Sequence, residues 1–578
     1  MSNTTQKCKA LVVAILVASV ASATEWEGSF KNGLKDWAVM NHNNIAALSV
    51  EEFKGETAFV VRHSGTNATS GTAWEIRGKR FSVKPGERLT VVVRALGSVE
   101  GMIAPHGYKG KFKTAIRWYG KDGVRIKDDS GYGLEDDTGF GISVSASRWQ
   151  YSFASIDVPA KAAFAEASLG ADRPDFGRDD FLAVSVFKIV PTVASGGSVT
   201  NSSLRDDGVL LVDGEPFFPI GIYGVRKCKF NGFSLEKAFA DLKDAGFNLA
   251  LNSTDFSVLE EFLALADRTG MKTFIMPGGN SYGVDIYAKG FLQSHRSHPS
   301  VIAWYVADDT ASYASPGEVA DRSRVCRTLD PDRLTLQADG ALMERINRYA
   351  PYVHTTDVFL PEIYPYGQSP EPKGDEIAKF VAQMRAVDAA LKENGSPVKG
   401  IWPIVQFFKG WSSSKYFPNE RELRAQCFAA LAHKARGLML YLYGARSETK
   451  NEGAVSTLER WSATRRVFRE VASIQADLLL RDAAEQPAVT VIEGPAVDAL
   501  GQPSVSLLLK TGENPLLIAA NSANERIKVR FAVKGFTCAE EVFERRRIAV
   551  AGDVLEDDFK PIGVHVYRLT KTEKGEKQ

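Results

Sequence analysis

Apolar and polar positions divide this chain of 578 residues into three parts with different periodicities. Between residues 24 and 193, short β-branched and aromatic runs, such as 89–93 and 183–187, are separated by Gly, Pro, Asn and Asp. This punctuation is typical of antiparallel strands joined by turns, and it predicts an all-β sandwich. Residues 485–573 return to short strand-like runs, which predict a small C-terminal β-sandwich.

The central part, residues 205–481, alternates short apolar runs with longer amphipathic segments. The runs predict strands at 217–225, 247–252, 271–276, 301–307, 334–338, 358–364, 401–407 and 438–443. The segments between them predict helices, of which the first two end at Gly246 and Gly270. Eight strand–helix units over this length predict a (β/α)8 barrel. A doubly wound open sheet is the alternative, but no glycine-rich phosphate fingerprint follows the first strand.

The N-terminus has the pattern of a secretory signal peptide. Lys7 and Lys9 precede an apolar stretch at 11–20, and a small-residue cleavage pattern ends at Ala23. The stretch is too short to span a bilayer, which disfavours an uncleaved membrane anchor. Removal of residues 1–23 would make the mature protein secreted or periplasmic, with no membrane partner. The small, polar segment 194–204 is interpreted as a linker between the first sandwich and the barrel.

Charge and cysteine content argue against several kinds of binding partner, metal site and cofactor. The chain has 71 Lys and Arg against 70 Asp and Glu, a net charge of +1, so nucleic acid is not an expected partner. The cysteines beyond the signal, at positions 228, 326, 427 and 538, are far apart and show no metal-ligand spacing. We expect them to be unpaired thiols, and we expect no metal and no cofactor. The oligomeric state stays open.

Polar residues at the carboxyl ends of the strands are the candidate site, because the loops of a (β/α)8 barrel converge there on one mouth. The fourth strand stops at two adjacent acids, Asp308 and Asp309, which are unfavourable beside an apolar run unless they are used. Further candidates are Tyr223, Asn252, Asn280, Trp304, Asp339, Glu362, Tyr364, Trp402, Gln406, Trp411 and Tyr441. Aromatic faces flanked by amides and carboxylates suit a sugar, so the predicted partner is a poly- or oligosaccharide.

The run His298-Pro299-Ser300-Val301-Ile302-Ala303-Trp304, followed by the two aspartates, resembles the fourth barrel strand of clan A glycoside hydrolases. In that clan the motif reads roughly H-P-x-V-x-x-W and ends in Asn-Glu or Asp-Glu. Residues 211–221 likewise resemble the lead into the first barrel strand of such enzymes. The resemblance implies hydrolysis of a glycosidic bond, with Asp309 at the position of the acid/base glutamate.

Three runs in the first sandwich, at 83–87, 117–123 and 158–162, resemble jelly-roll modules that accompany carbohydrate-active enzymes. In those modules the corresponding runs read V-x-P-G, Y-x-x-x-G and V-P-x-x-A. The resemblance implies a carbohydrate-binding domain. A spacer sandwich without a ligand is the alternative.

The sequence departs from the clan at strand seven, where Gln406 stands in place of the nucleophilic glutamate and cannot form a glycosyl ester. Glu362 is the best substitute, because strand alternation turns Glu362 and Tyr364 toward the barrel axis. We therefore predict Asp309 as proton donor, Glu362 as nucleophile or general base, and Gln406 as a contact to sugar hydroxyls. A carboxyl separation of about 5 Å would indicate a retaining reaction, and about 6.5–9.5 Å an inverting one.

Several structural alternatives stay open at this stage. Asp308 could cap the next loop, and Trp304 and Trp402 could belong to the core. Glu448 and Glu452, after strand eight, are weaker candidates for the carboxylate that is missing from strand seven. Two rival functions remain: a catalytically silent glycan-binding barrel, which Gln406 and the short Asp309 favour, and a structural extracellular protein with a plugged barrel mouth.

Overall fold

The computed structural model describes residues 26–41, 46–63, 74–98, 101–103, 113–126, 138–139, 142–144, 146, 149–171, 179–191, 200–251, 258–277, 292, 295–340, 349–367, 369–410, 414–444 and 452–571. The predicted signal peptide, most of the predicted linker, Asn252, Asn280, Trp411 and Glu448 lie outside the described residues.

The described part of residues 26–191 folds into two facing antiparallel sheets. One sheet contains Trp26–Glu27, Ala46–Phe53, Glu56–His63, Arg88–Gly97, Gln150–Asp157 and Phe181–Pro191. The other contains Trp37–Asn41, Trp74–Gly78, Phe81–Ser82, Lys113–Tyr119, Thr138–Gly139 and Phe164–Ala171, and Gly101–Ile103 pairs separately with Ile142–Val144. Alternate side chains of both sheets, among them Val91, Trp118 and Phe187, form the core between them. The predicted sandwich is confirmed, while its binding of carbohydrate stays a prediction.

The central part is a parallel barrel. A small antiparallel sheet of Ser202–Leu204, Leu210–Val212 and Glu215–Phe217 leads into it. In the described residues the barrel strands, one to eight, are Ile220–Ile222, Leu249–Ala250, Thr273–Ile275, Val301–Ala307, Leu334–Gly340, Val358–Ile363, the pair Gly400–Ile401 with Ile404–Gln406, and Leu438–Tyr441.

Strand pairing closes this barrel into a ring. Each strand bonds in parallel to its sequence neighbour, and strand eight bonds to strand one. Strands two and three meet through Lys272, whose carbonyl accepts from the Ala250 amide at 3.0 Å and whose amide donates to the Asn248 carbonyl at 2.9 Å. The predicted (β/α)8 barrel is confirmed, and the open-sheet alternative is wrong.

Helices cover the barrel in the described residues, and most of a further predicted helix, at 341–350, lies outside them. The described helices span Leu235–Asp244, Leu259–Thr269, Thr310–Tyr313, Pro316–Leu329, Glu376–Glu393, Glu420–Ala432, Leu458–Ser473 and Gln475–Leu478, with 3-10 turns at Ala350–Tyr352 and Ala454–Ser456. Ser315 and Asn419 begin their helices with reciprocal capping boxes to Glu318 and Glu422. Gly270 ends its helix in the left-handed conformation, with φ of 71°. Among the described helices, none has the length and apolarity to cross a membrane.

The C-terminal part is a second β-sandwich that packs on the barrel. Its strands are Val489–Glu493, Ile527–Ala532 and Val554–Phe559 in one sheet, and Val505–Leu509, Leu516–Asn521, Phe536–Glu541, Arg546–Ala549 and Val564–Lys571 in the other. Arg424 of a barrel helix donates to the Val564 carbonyl at 3.0 Å, and the His433 ring lies 2.8 Å from the Ser506 hydroxyl. The predicted C-terminal sandwich is confirmed, and so are the free thiols of Cys228, Cys326, Cys427 and Cys538.

A buried ion pair anchors the start of strand four. Arg333 and Asp330 lie 3.1 Å apart, with side chains 0% and 2% exposed. Arg333 also donates to the backbone carbonyls of Val301 at 2.8 Å and His298 at 3.1 Å. The indole of Trp304 donates to Asp330 at 2.9 Å. These contacts fix the histidine-to-tryptophan run, and they set where strand four ends at the barrel mouth.

Candidate active site

Carboxyl groups from three adjacent strands converge at the carboxyl end of the barrel. Strand four supplies Asp308 and Asp309, strand five Asp339 and strand six Glu362. The charges of the three aspartates all act on Glu362. Because these strands are neighbours in the ring, the sequence positions predicted from strand ends do meet in space.

Gly340 lies close to two of these acids. An added Cβ at Gly340 would lie 3.6 Å from Oδ1 of Asp309 and 3.7 Å from Oε2 of Glu362. The two oxygens are therefore no more than about 7 Å apart, which covers the retaining spacing and the lower end of the inverting one. With no side chain at position 340, the space between the two carboxyl groups stays open.

Asp308 lies between two hydrogen-bond donors. The Tyr305 hydroxyl donates to Oδ1 of Asp308 at 2.6 Å, and the Asp308 and Glu362 carboxyl groups share a further hydrogen bond. Burial is the main cause that raises the pKa of Asp308 to about 6, and the charge of Asp309 adds to it. The two hydrogen bonds act in the opposite direction.

Glu362 binds a proton more tightly than an ordinary glutamate does. Burial, followed by the charges of Asp308, Asp309 and Asp339, raises the pKa of Glu362 well above its usual range. The protonated Glu362 is thus the donor and Asp308 the acceptor of their shared hydrogen bond. Two half-buried carboxyl groups in contact cannot both ionise at low cost.

Asp309 differs from its neighbour because it is exposed. Its backbone is left-handed, with φ of 45° and ψ of 42°, and it begins the short helix Thr310–Tyr313. Aspartate adopts this conformation more readily than most residues, yet the turn still stores strain at the strand end. The strained turn places two consecutive acids in different surroundings, one half-buried and one open to solvent.

Tyrosines surround the acids. Tyr223, Tyr305, Tyr364 and Tyr441 come from strands one, four, six and eight, or directly follow them. The ring centroids of Tyr223 and Tyr441 lie 5.9 Å apart, and those of Tyr364 and Tyr441 lie 5.8 Å apart. Burial and the neighbouring carboxylates raise the pKa of all four hydroxyls, so they remain protonated donors. Tyr364 and Tyr441 are half-buried and form part of the accessible floor.

The structure therefore brings together Tyr223, Asp308, Asp309, Asp339, Glu362, Tyr364 and Tyr441, in agreement with the strand-end rule. Sequence reasoning missed Tyr305 and Gly340. Alternation along strand four puts Trp304 and Tyr305 on opposite faces, so only one of these two aromatic side chains can face the barrel axis. Asn252, Asn280 and Trp411 lie outside the described residues.

The predicted substrate contacts of Trp304 and Trp402 are wrong. Trp304 is fully buried and faces the helix layer, where its indole meets Asp330. Trp402 is also fully buried, at the amino-terminal end of the barrel, where added Cβ atoms at Gly400 and Gly437 would lie 3.2 and 2.9 Å from its indole. Both tryptophans fill the core, as the structural alternative proposed.

The predicted sugar contact of Gln406 is wrong as well. Its side chain is fully buried. The amide accepts from the Tyr366 backbone at 2.9 Å, and it donates to the Tyr366 carbonyl and to the Ser414 hydroxyl, both at 3.0 Å. Gln406 therefore joins the loops that follow strands six and seven. The reserve acid Glu452 is paired with Arg460.

No family model matches the chain. Among curated proteins, the β-glucuronidases of Felis catus and Canis lupus familiaris are each 30% identical over 145 residues, 21% of this chain and 22% of the relative. The chain thus spans about a fifth of the length of the curated relatives it matches.

Similar solved structures include a glycoside hydrolase family 5 protein from Bacteroides vulgatus ATCC 8482. It is 14% identical, with a TM-score of 0.45, and covers 65% of this chain and 94% of that one. An FMN-binding β-glucuronidase from Facaelibacterium prausnitzii L2-6 is 12% identical, with a TM-score of 0.40, and covers 96% and 99%. The strand pairing of the described residues establishes the barrel without these comparisons.

Proposed function

We propose that this protein hydrolyses a glycosidic bond in a poly- or oligosaccharide, with Glu362 and Asp309 as the reacting pair. The observation that carries the proposal is the contrast between these two acids on either side of Gly340. Glu362 is half-buried among other acids, which raises its pKa, and Asp309 is exposed at the same mouth. Two carboxyl groups in different protonation states are what glycoside hydrolysis requires.

The protonation pattern favours a reversal of the roles that the sequence suggested. A general acid must hold its proton at the working pH, and the raised pKa of Glu362 meets that condition. Asp309 is then the anionic partner, either as the nucleophile or as the base that activates water. The limit of about 7 Å on their separation is compatible with both reactions.

The reaction follows from this assignment. Glu362 transfers its proton to the oxygen of the leaving group as the glycosidic bond breaks, and the anomeric carbon becomes positively charged. In an inverting reaction, a water that Asp309 deprotonates forms the new bond from the opposite face of the sugar. In a retaining reaction, Asp309 itself forms a glycosyl ester there, and a water that the deprotonated Glu362 activates then breaks this ester and releases the sugar. The half-buried Tyr364 and Tyr441 are placed to contact the substrate, and their aromatic faces suit its C–H surfaces.

The direct test is turnover of a panel of 4-nitrophenyl glycosides and oligosaccharides by the purified full chain. The β-glucuronide comes first, because of the similarity of one segment to β-glucuronidases. We expect hydrolysis of at least one substrate, and NMR of the first anomer formed distinguishes retention from inversion. Binding without any product would instead support the silent glycan-binding barrel, which the buried, fully bonded Gln406 favours.

Filling the gap at Gly340 is expected to impair turnover without unfolding the barrel. Valine is a good strand former, but its branched side chain would stand between Asp309 and Glu362. We expect Gly340→Val to lower kcat/KM by about tenfold or more, because small displacements of the substrate are costly. Gly340→Ala should lose less, since its methyl group meets both oxygens at ordinary contact distances. An unchanged kcat/KM in the valine variant would mean that substrate does not bind between the two acids.

Export is part of the proposal. The lysine-flanked apolar stretch and the small residues before position 24 support a cleaved signal peptide. Expression with and without residues 1–23 in a bacterial host, followed by fractionation, tests it. Equal cytoplasmic retention of both forms would contradict it.

A further inference from the structure

We propose that Tyr305 and Asp308 form a positioning pair that keeps the proton of the site on Glu362. On this view Asp308 orients the proton donor and does not bind substrate. The inference rests on the proposed role of Glu362 as general acid, and it adds a function for two residues that do not take part in bond breaking.

The Tyr305 hydroxyl has a fixed position. The side chain is 2% exposed, and its ring is held edge-on by Phe274, at 5.5 Å and 80°, and by Tyr223, at 6.5 Å and 74°. Its distance of 2.6 Å to Oδ1 of Asp308 is typical of a hydroxyl that donates to a charged carboxylate. A rigid ring therefore aims a proton at one oxygen of Asp308.

This hydrogen bond determines which carboxyl group, that of Asp308 or that of Glu362, carries the shared proton. Asp308 accepts from Tyr305 and also from Glu362. A carboxylate that accepts two hydrogen bonds is stabilised as an anion, so the proton resides on its partner. Without the hydrogen bond from Tyr305, Asp308 would compete with Glu362 for the proton. Glu362, the proposed general acid, would then be deprotonated in part of the protein molecules.

Other charged and titratable groups face the pair from the surrounding elements. They are Asp309 after strand four, Asp339 on strand five, Tyr364 after strand six, Tyr223 after strand one, Tyr441 on strand eight, and Arg226 in the loop after strand one, which acts on Tyr441. The acids raise the affinity of Asp308 and Glu362 for protons. Three hydrogen bonds oppose this effect at Asp308, and the one from the Tyr305 hydroxyl is larger than those from Glu362 and the Asp309 backbone amide.

The test is the pH profile of Tyr305→Phe. The active form needs an ionised Asp308 and a protonated Glu362, so activity falls on the acid side as Asp308 takes up a proton. Loss of the donor raises the pKa of Asp308, because the hydrogen bond favours its charged form. We expect the acid limb to move up by about one to two pH units, the worth of one hydrogen bond to a charged group. We also expect kcat at neutral pH to fall while KM stays unchanged.

Tyr349→Phe is the matched control. Tyr349 is 1% exposed in the same barrel and stacks on Phe359, with ring centroids 3.7 Å apart. Burial alone raises its pKa, with no charged partner contributing. The control should keep the wild-type pH profile. If both variants gave the same profile, Tyr305 would have only a packing role and the inference would be overturned.

A second measurement separates this inference from the proposed function. Infrared spectroscopy detects the carbonyl stretch of a protonated carboxyl group, and the neutral-pH band should disappear in Glu362→Gln. On titration toward acid, the next carboxyl band should grow in at higher pH in Tyr305→Phe than in wild type. This result supports the positioning pair even if no substrate is hydrolysed. An unshifted band overturns it, whether or not the protein is a hydrolase.

Discussion

Replacing Glu362 by glutamine is expected to slow hydrolysis of an unactivated glycoside by about 10²- to 10⁴-fold, the usual contribution of a general acid. Glutamine keeps the size of the side chain but has no acidic proton to transfer. A 4-nitrophenyl leaving group departs without protonation, so the same variant should lose much less activity on that substrate. The measurement is the ratio of kcat/KM values for the two substrates, compared with wild type.

Asp309→Asn should behave differently. The anionic partner is needed whatever the leaving group, so we expect a comparable large loss on both substrates. Glu393→Gln and Asp267→Asn, at exposed positions on barrel helices, are the matched controls and should retain wild-type rates. If Asp309→Asn and not Glu362→Gln spared the activated substrate, the roles would be those that the sequence first suggested.

Truncation of Asp330 to alanine is expected to destabilise the chain by about 3–5 kcal/mol, the usual cost of breaking a buried ion pair. The change leaves the Arg333 guanidinium buried without its counter-charge, and it removes the acceptor of the Trp304 indole. Urea unfolding followed by tryptophan fluorescence measures the loss. The substitution should also disturb the barrel mouth, because the contacts of Asp330 and Arg333 hold strand four in position.

Asp332→Ala tests the specificity of this prediction. Asp332 is exposed two residues from Asp330, and its truncation should change stability by no more than about 0.5 kcal/mol. Combining Asp330→Ala with Arg333→Met should recover part of the loss, since no charge is then left buried. Equal stabilities of the Asp330 and Asp332 variants would show that the pair does not anchor the strand.

The architecture was predictable because apolar periodicity and helix end signals are local. Predicted strands at 301–307 and 358–364 nearly coincide with the observed Val301–Ala307 and Val358–Ile363. Two predicted strands are broken in the structure. Residues 217–225 divide at Phe218-Pro219 between a small sheet and barrel strand one, and 401–407 divides at Trp402-Pro403. A proline has no amide proton for the ladder, and the apolar pattern does not register that loss.

The site was predictable only in part. Strand ends locate the acids because barrel topology brings those ends together, whereas the height of a side chain along the axis depends on register. Strand alternation predicts the face on which a side chain lies but not its position along the barrel axis. Trp402 and Glu362, for example, lie at opposite ends of the barrel. The raised pKa of Glu362 depends on its burial and on its closeness to acids from two other strands, which no single stretch of sequence contains.

Gln406 has a consequence for how relatives of this chain would be recognised. A glutamate at that position would place a charge in a fully buried pocket whose partners are a backbone amide, a backbone carbonyl and a hydroxyl. Under the proposed roles of Asp309 and Glu362, a genome survey that requires a strand-seven glutamate would discard active chains of this design. A survey based on the proposal would look for an acid directly after strand four and a glutamate on strand six, and it would accept glutamine on strand seven.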